Sequence, residues 1–294
     1  MLKRVEWAWS TQPILFPVSF ARQERNAAYV AFFIAEYCGA PVFITHVKTG
    51  TEDEIKSHEF LAELMKFAES LKVKVRYNVV DTGKGNVKVG DIASAIVTEA
   101  EWRGCQAVIM SAQREPFFRE LFGRVSDRVA RATRCRVVLV ETPWIGLTIP
   151  RKPSKILIPV LSDEVNPEPF ILASALTSSA AVPDVELTAV RVMELPPTTP
   201  LDAIEVSYSL RAQEKHFSAW ISECIQSSGR LFTPRILAVR GIGPELSRYA
   251  KDTGTDLIIM SCARPQKFKS LLSRSEYELV KKSPCIVLVV FPER

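Results

Sequence analysis

The chain has 294 residues, enough for about two ordinary domains, and it is 47% hydrophobic and 24% charged, as globular proteins with buried cores are. Its formal net charge of +5 comes without a dense block of Lys and Arg interleaved with aromatic residues, which argues against nucleic-acid binding. No apolar run approaches the roughly 18 residues of a membrane-spanning helix. We therefore expect a cytoplasmic protein, or one on the cytosolic side of a membrane.

We do not expect the first residues to form a targeting signal. The segment from Met1 to Gln12 carries Lys3 and Arg4 but lacks the apolar stretch of a signal peptide. We interpret residues 1–12 as an N-terminal leader. The six cysteines show neither a C-x-x-C pair nor the spacing of a zinc site, so we expect reduced thiols and no metal.

Short apolar runs rich in Val and Ile alternate with helical patterns through the first half. Such runs are typical of strands buried on both faces of a parallel sheet. In chain order, the predicted elements are strand 14–18, helix 26–37, strand 42–47, helix 54–71, helix 91–102, strand 108–111 and strand 135–140. Asp91 is expected to cap its helix, and Gly104 to end it.

The same pattern returns in the second half. Four apolar segments recur in the same order, which predicts a tandem repeat. The pairs are 14–18 with 156–160, 42–47 with 185–190, 108–111 with 258–261, and 135–140 with 285–290. Alternating strands and helices imply right-handed parallel crossovers. We predict two doubly wound α/β units, each with a five-stranded parallel sheet, over residues 13–146 and 147–294.

Four segments of the first half resemble the universal stress protein family. They are Gly90–Ala93, Ala107–Ser111, Leu121–Val129 and Cys135–Val140. The resemblance implies strand order 3-2-1-4-5 in each unit, a fold of the adenine nucleotide alpha-hydrolase-like class.

The resemblance also locates a nucleotide site, whose motifs are altered in this chain. Family members that bind ATP or AMP carry Asp after the first strand and a loop G-x-x-G, nine residues, G-S/T after the fourth. Glycines there let backbone amides surround phosphates at a helix N-terminus. The positions that correspond to these motif residues are Ser19, Ser111, Arg114 and Gly123 in the first half and Leu161, Ser261, Arg264 and Ser273 in the second.

Two interpretations of these loops remain. In one, Arg114, Ser126, Arg264 and Ser275 still bind an anion. In the other, which we favour, the loops have become packing or interface surface and bind no nucleotide or other cofactor. We find no signature of a catalytic site, and the missing Asp argues against a hydrolase, so we expect no enzyme activity.

Large aromatic residues outside the predicted elements are candidate interface residues. They are Trp7 and Trp9 in the leader and Trp144 in the linker. Exposed aromatic side chains are frequent interface anchors. The alternative is that they pack on their own domain.

Domains resembling this family also occur as cytosolic portions of secondary transporters, among them amino-acid permeases and cation-chloride cotransporters. One hypothesis is therefore a non-enzymatic regulatory and dimerisation domain of such a transporter. Its partners would be a second copy and its own transmembrane transport domain, and not nucleic acid. The alternative is a soluble tandem universal stress protein that binds a nucleotide or another small ligand.

Overall fold

The computed structural model describes residues 9–50, 54–112, 124–143, 153–161, 166–178, 185–196, 198, 200, 211–222, 230–264 and 270–294. The chain forms two compact units. The first unit comprises Met1–Pro150, Cys262–Leu271 and Val289–Arg294, and the second comprises Arg151–Ser261 and Leu272–Leu288. The predicted boundary between residues 146 and 147 lies outside the described residues and stays a prediction.

The first repeat alternates strands and helices as predicted. Its elements are β1 (Ile14–Val18), α1 (Glu24–Cys38), β2 (Val42–Val47), α2 (Glu54–Ser70), β3 (Val75–Val80), α3 (Val89–Trp102), β4 (Ala107–Ser111), α4 (Arg124–Ala132) and β5 (Arg136–Glu141). β1, β2, β4 and β5 are buried along their whole length, whereas β3 is only partly covered.

The strand order is β3-β2-β1-β4-β5, and each neighbouring pair of these strands is parallel. Ile14 of β1 lies opposite Val42 of β2 and Ala107 of β4. β1 therefore stands at the point where the crossovers change direction, which is where ligands bind in doubly wound folds. The predicted order 3-2-1-4-5 is confirmed.

The second repeat has the same pattern. Its elements are β6 (Lys155–Val160), α5 (Glu168–Leu176), β7 (Glu186–Glu194), α6 (211–222), β8 (Thr233–Val239), α7 (Ile242–Thr253), β9 (Leu257–Ser261), α8 (Arg274–Lys282) and β10 (Ile286–Phe291). The order β8-β7-β6-β9-β10 repeats that of the first sheet, so the predicted tandem α/β fold is confirmed.

The helix ends follow the sequence signals, with one correction. Gly104 after α3 and Gly254 after α7 have φ values of 60° and 66°, the left-handed conformation that glycine adopts most easily. Asp91 does not stand at the N-cap of its helix. It is the third residue of α3, and its carboxylate accepts a hydrogen bond of 3.0 Å from the backbone N–H of the N-cap residue Lys88.

Candidate functional site

The candidate site of the first repeat lies at the carboxyl edge of β1 and β4. Ser19 directly follows β1, and Ser111 is the last residue of β4. Ser19 is exposed, whereas Ser111 is buried. Because β1 and β4 are parallel neighbours, their carboxyl ends meet at one edge of the sheet. Arg114 and Gly123 of the predicted loop lie outside the described residues.

A glutamate that the sequence analysis did not single out occupies this edge. Glu24 is the first residue of α1 and is 5% exposed. Its carboxylate accepts hydrogen bonds from the backbone N–H groups of Ser19 at 2.9 Å and Ala21 at 3.0 Å, and from the Ser19 hydroxyl at 2.8 Å. Burial raises the pKa of Glu24 to about 7, and these hydrogen bonds act in the opposite direction.

The loop between β1 and α1 is bent around the Glu24 carboxyl. Phe20 has a φ of 65°, which costs free energy in a residue with a bulky side chain. Its ring centroid lies 4.8 Å from that of His46 and 6.1 Å from that of Phe60. The His46 Nδ1 atom lies 3.0 Å from the carbonyl oxygen of Val18. These contacts hold the strained turn, whose successive backbone amides form an anion-binding concavity.

The backbone N–H groups of Ser19 and Ala21 are therefore already bound and are not offered to an external anion. The bound group is a carboxyl of the same chain, which accepts from backbone N–H groups of the loop and from the Ser19 hydroxyl. A ligand at this position would have to displace Glu24 or bind elsewhere. Ser126, the other candidate anion ligand of this repeat that the structure describes, is 2% exposed on α4.

In the second repeat, hydrogen bonds of a polar side chain occupy the corresponding edge of the sheet. Leu161 follows β6, and Ser261 ends the neighbouring strand β9. The Asn166 side-chain amide donates to the Ser261 hydroxyl at 2.8 Å, and its carbonyl oxygen accepts from the Glu168 N–H at 2.9 Å. Glu168 is the first residue of α5, as Glu24 is of α1, and it is 1% exposed.

Ser273, at the later glycine position of the second loop, caps a helix. It is the N-cap of α8, and its hydroxyl accepts a hydrogen bond of 3.3 Å from the Glu276 N–H. The Glu276 carboxylate in turn accepts from the Ser273 N–H at 2.6 Å. This reciprocal capping box occupies two N–H groups that a phosphate at this helix N-terminus would use.

Arg264, at the second loop glycine of this repeat, binds main-chain carbonyls of the first unit, to which it belongs. Its guanidinium donates to the carbonyl oxygens of Ala130 at 2.9 Å, Thr133 at 2.7 Å and Pro292 at 2.6 Å, and also to that of Cys135. Burial lowers the pKa of Arg264 to about 10, so the group remains charged at neutral pH. Its positive charge lies at the carbonyl end of α4, where cations are favourable.

The segment that precedes β1 is fixed by Gln106. The Gln106 amide nitrogen donates to the carbonyl oxygens of Ser10 at 2.6 Å and Gln12 at 2.5 Å, and its oxygen accepts from the Ser10 N–H at 2.8 Å. Trp9 is 6% exposed, with the Arg136 guanidinium 5.5 Å from its ring centroid. Trp9 is thus covered by residues of its own unit, and its part in an interface stays a prediction.

The other candidate residues give no site. Trp7 and Trp144 lie outside the described residues. Cys105, Cys135, Cys262 and Cys285 are buried and Cys38 is partly exposed. No three His, Cys, Asp or Glu side chains among the described residues are grouped so that they could hold a metal ion. Within the same residues, no helix has both the length and the apolar character to cross a membrane.

Comparison with known proteins supports the fold assignment. The model of the universal stress protein family matches residues 10–141. No curated protein matches the sequence. A universal stress protein from Archaeoglobus fulgidus DSM 4304 has a similar structure, with a TM-score of 0.59 and 14% identity over 96% of this chain and 98% of that chain.

Two further solved structures have the same fold. A functionally unknown protein from Pseudomonas aeruginosa PAO1 gives a TM-score of 0.60 at 14% identity, over 96% of this chain and 93% of its own. The cytoplasmic domain of a prokaryotic cation chloride cotransporter gives a TM-score of 0.57 at 12% identity, over 97% of this chain and 96% of that chain. The chain thus has the tandem universal stress protein fold, with a match to that family over residues 10–141.

Proposed function

We propose that the chain is a non-enzymatic assembly module: a cytosolic regulatory and dimerisation domain of a membrane secondary transporter of the cation-chloride cotransporter or amino-acid permease kind. In this function the tandem fold provides surfaces for a second copy and for the transport domain. The sites that bind nucleotides in the family are closed and carry no cofactor.

The observation that carries this proposal is the position of Glu24. A carboxyl group of the chain accepts hydrogen bonds from Ser19 and Ala21 at the edge where doubly wound folds bind ligands. A nucleotide phosphate at this position would have to displace the Glu24 carboxyl from these donors. Ser19 itself stands where nucleotide-binding members carry Asp.

The altered loop of the second repeat supports the same conclusion. Ser273 and Glu276 cap each other at the start of α8, so two N–H donors of that helix are taken. Arg264 replaces a glycine and directs its guanidinium to the carbonyls of Ala130 and Thr133. Neither arrangement leaves the glycine-lined loop that phosphates require.

The similarity to the cytoplasmic domain of a cation chloride cotransporter is the reason for choosing a transporter as the partner. That similarity extends over 97% of this chain and includes both repeats. Under this proposal the chain preceding β1 reaches the sheet through the ordered contacts of Ser10 and Gln12 with Gln106. These contacts would transmit the position of a preceding domain to β4.

Titration with ATP, ADP and AMP by calorimetry tests the closed sites, and light scattering on the same sample gives the mass. We expect no heat of binding and the mass of a dimer. The variant S273G, which restores glycine at one loop position and leaves Arg264 in place, is the matched comparison. Tight binding of a nucleotide by the unmodified protein would contradict the proposal and favour a soluble tandem stress protein, to whose fold the chain is equally similar.

The coding sequence upstream of Met1 tests the link to a transporter. An open reading frame that continues upstream through several apolar segments, each about 20 residues long, is the expected result. A stop codon and a ribosome-binding site immediately before Met1 would contradict attachment to a transport domain, while leaving the question of nucleotide binding to the titration.

A further inference from the structure

Glu24, the buried acidic group that occupies the candidate site in the proposed function, is also a titratable group. It lies at the start of α1, is 5% exposed, and closes the loop formed by residues 19–23. Apart from Glu24 and Asn26, the residues of α1 that are buried are apolar, among them Val30 and Ile34. The carboxyl group instead accepts hydrogen bonds from the loop that precedes the helix.

We propose that the Glu24 carboxyl is a latch for the loop between β1 and α1, which stays closed while the group is protonated and opens when the group ionises. In the closed loop the carboxyl lies away from water, and a buried negative charge costs more than a buried neutral acid. In the open loop the carboxylate reaches solvent and that cost disappears. Ionisation therefore favours the open loop.

The conformation of the closed loop favours its opening. Phe20 is held in the left-handed region at a φ of 65°, so opening releases backbone strain. Opening separates the Phe20 ring from His46 and Phe60 and breaks the hydrogen bonds to Glu24. β1 and α1 are anchored by their own buried residues and need not move. Opening would uncover the carboxyl edge of β1, including the buried ring of His46.

Other charged groups adjoin this loop and must be distinguished from Glu24. His46 of β2 contacts Phe20. Arg25, next to Glu24 on α1, forms an ion pair of 2.8 Å with Glu63 of α2. Glu141, the buried last residue of β5, precedes Thr142, whose hydroxyl accepts from the Asn26 amide of α1. Neither β1 nor β4 carries a titratable side chain.

The pH dependence of loop opening has a definite direction. Burial raises the pKa of Glu24 from 4.5 to about 7, whereas a solvated carboxyl in the open loop keeps the ordinary value. The fraction of molecules with an open loop therefore rises as the pH increases from 4.5 to about 7, by about tenfold for each pH unit. It levels off above about pH 7, where both forms are ionised.

Hydrogen–deuterium exchange on the whole protein from pH 5 to 8.5, corrected for intrinsic rates, measures the opening. We expect the protection of the Ser19 and Ala21 amides to fall roughly fortyfold between pH 5 and 7, with no such change in β1. E24Q should show no pH dependence at these amides. E63Q, which removes the exposed carboxylate that pairs with the neighbouring Arg25, should behave as the unmodified protein.

Direct titration of the Glu24 carboxyl by carbon NMR in the unmodified protein keeps the proposal testable if E24Q fails to fold. A midpoint near 7 together with pH-dependent exchange supports the latch. A midpoint near 4.5, or loop exchange that does not change with pH, would overturn it. Persistence of the full pH effect in E24Q would also overturn it, because His46 or Glu141 would then be the responsible group.

Discussion

The Arg264 guanidinium donates a hydrogen bond of 2.7 Å to the carbonyl oxygen of Thr133, a residue 131 positions earlier in the chain. The same group also binds the carbonyl oxygens of Ala130 and Cys135. These acceptors lie at the C-terminal end of α4 and in the turn that leads to β5, where carbonyl groups lack helical partners. An arginine at a loop glycine position thus provides the C-terminal cap of a distant helix.

We expect Arg264→Met to destabilise the first unit by about 2–3 kcal/mol, because it removes charged hydrogen bonds and leaves buried carbonyl groups unsatisfied. Arg264→Lys should cost less, since an ammonium group can still bind part of the carbonyl set. Urea denaturation followed by circular dichroism measures the effect. Arg248, which is 69% exposed in its pair with Glu245, is the control: a loss in Arg248→Met as large as in Arg264→Met would contradict this account.

We expect Glu24 to make the protein less stable as pH rises. Its pKa in the folded state is about 7 against an ordinary value of 4.5, so the folded state keeps a proton that the unfolded chain has released. The contribution is fully present below about pH 4.5 and is lost as pH rises through about 7. Relative to Glu24→Gln, the free energy of unfolding should fall by about 3 kcal/mol across this range.

Glu63 should contribute to stability with the opposite dependence on pH. The hydrogen bond from Arg25 lowers the pKa of Glu63, so its contribution is present above its ordinary pKa and is lost as pH falls. Urea midpoints measured from pH 4 to 8 should therefore diverge in opposite directions for Glu24→Gln and Glu63→Gln. Parallel curves for the two variants would show that the burial of Glu24 has no energetic consequence.

The packing of α7 on α8 depends on Gly243. A Cβ atom at this position would lie 2.6 Å from the Cβ of Glu278 and 2.8 Å from the backbone nitrogen of Leu279. Gly243→Ala should therefore cost about 1–3 kcal/mol through overpacking, measured as a lower urea midpoint. Gly85→Ala, where a Cβ meets no heavy atom within 4 Å, should have little effect. Equal midpoints for the two variants would contradict the close approach of these helices.

The sequence predicts the repeated fold because its signals are local. Runs such as Ile14–Val18 and Ile156–Val160 are apolar at every position, as strands covered on both faces must be. The changes at Ser19 and Ser273 are also visible in the sequence once the motif positions are known. These features allow the repeated α/β pattern to be predicted, whereas the strand order and the motif positions come from the resemblance to the universal stress protein family.

The occupants of the site could not be predicted in this way. An acid at the start of a helix, such as Glu24, ordinarily indicates an exposed side chain near the positive end of the helix dipole. Its burial depends on Phe20 adopting a positive φ. No sequence pattern predicts a positive φ for an aromatic residue. Likewise, the partners of Arg264 are set by the fold and lie more than a hundred residues away.

The turn after α2 gives a prediction of the opposite direction, a gain in stability. Lys72 follows this helix with a φ of 56°, and its N–H donates to the carbonyl oxygen of Glu69 at 2.9 Å. This is the C-terminal position that glycine prefers, and its side chain is exposed. Lys72→Gly should therefore stabilise the protein by about 1 kcal/mol, because it relieves the left-handed backbone.

Lys74, an exposed lysine two residues later, is the matched control for this turn. Its φ is not positive, so Lys74→Gly relieves no strain and adds only the flexibility of glycine in the unfolded chain. Its urea midpoint should fall while that of Lys72→Gly rises. If both variants lose stability, the backbone of residue 72 is not strained in solution, and the gain expected from the left-handed geometry does not exist.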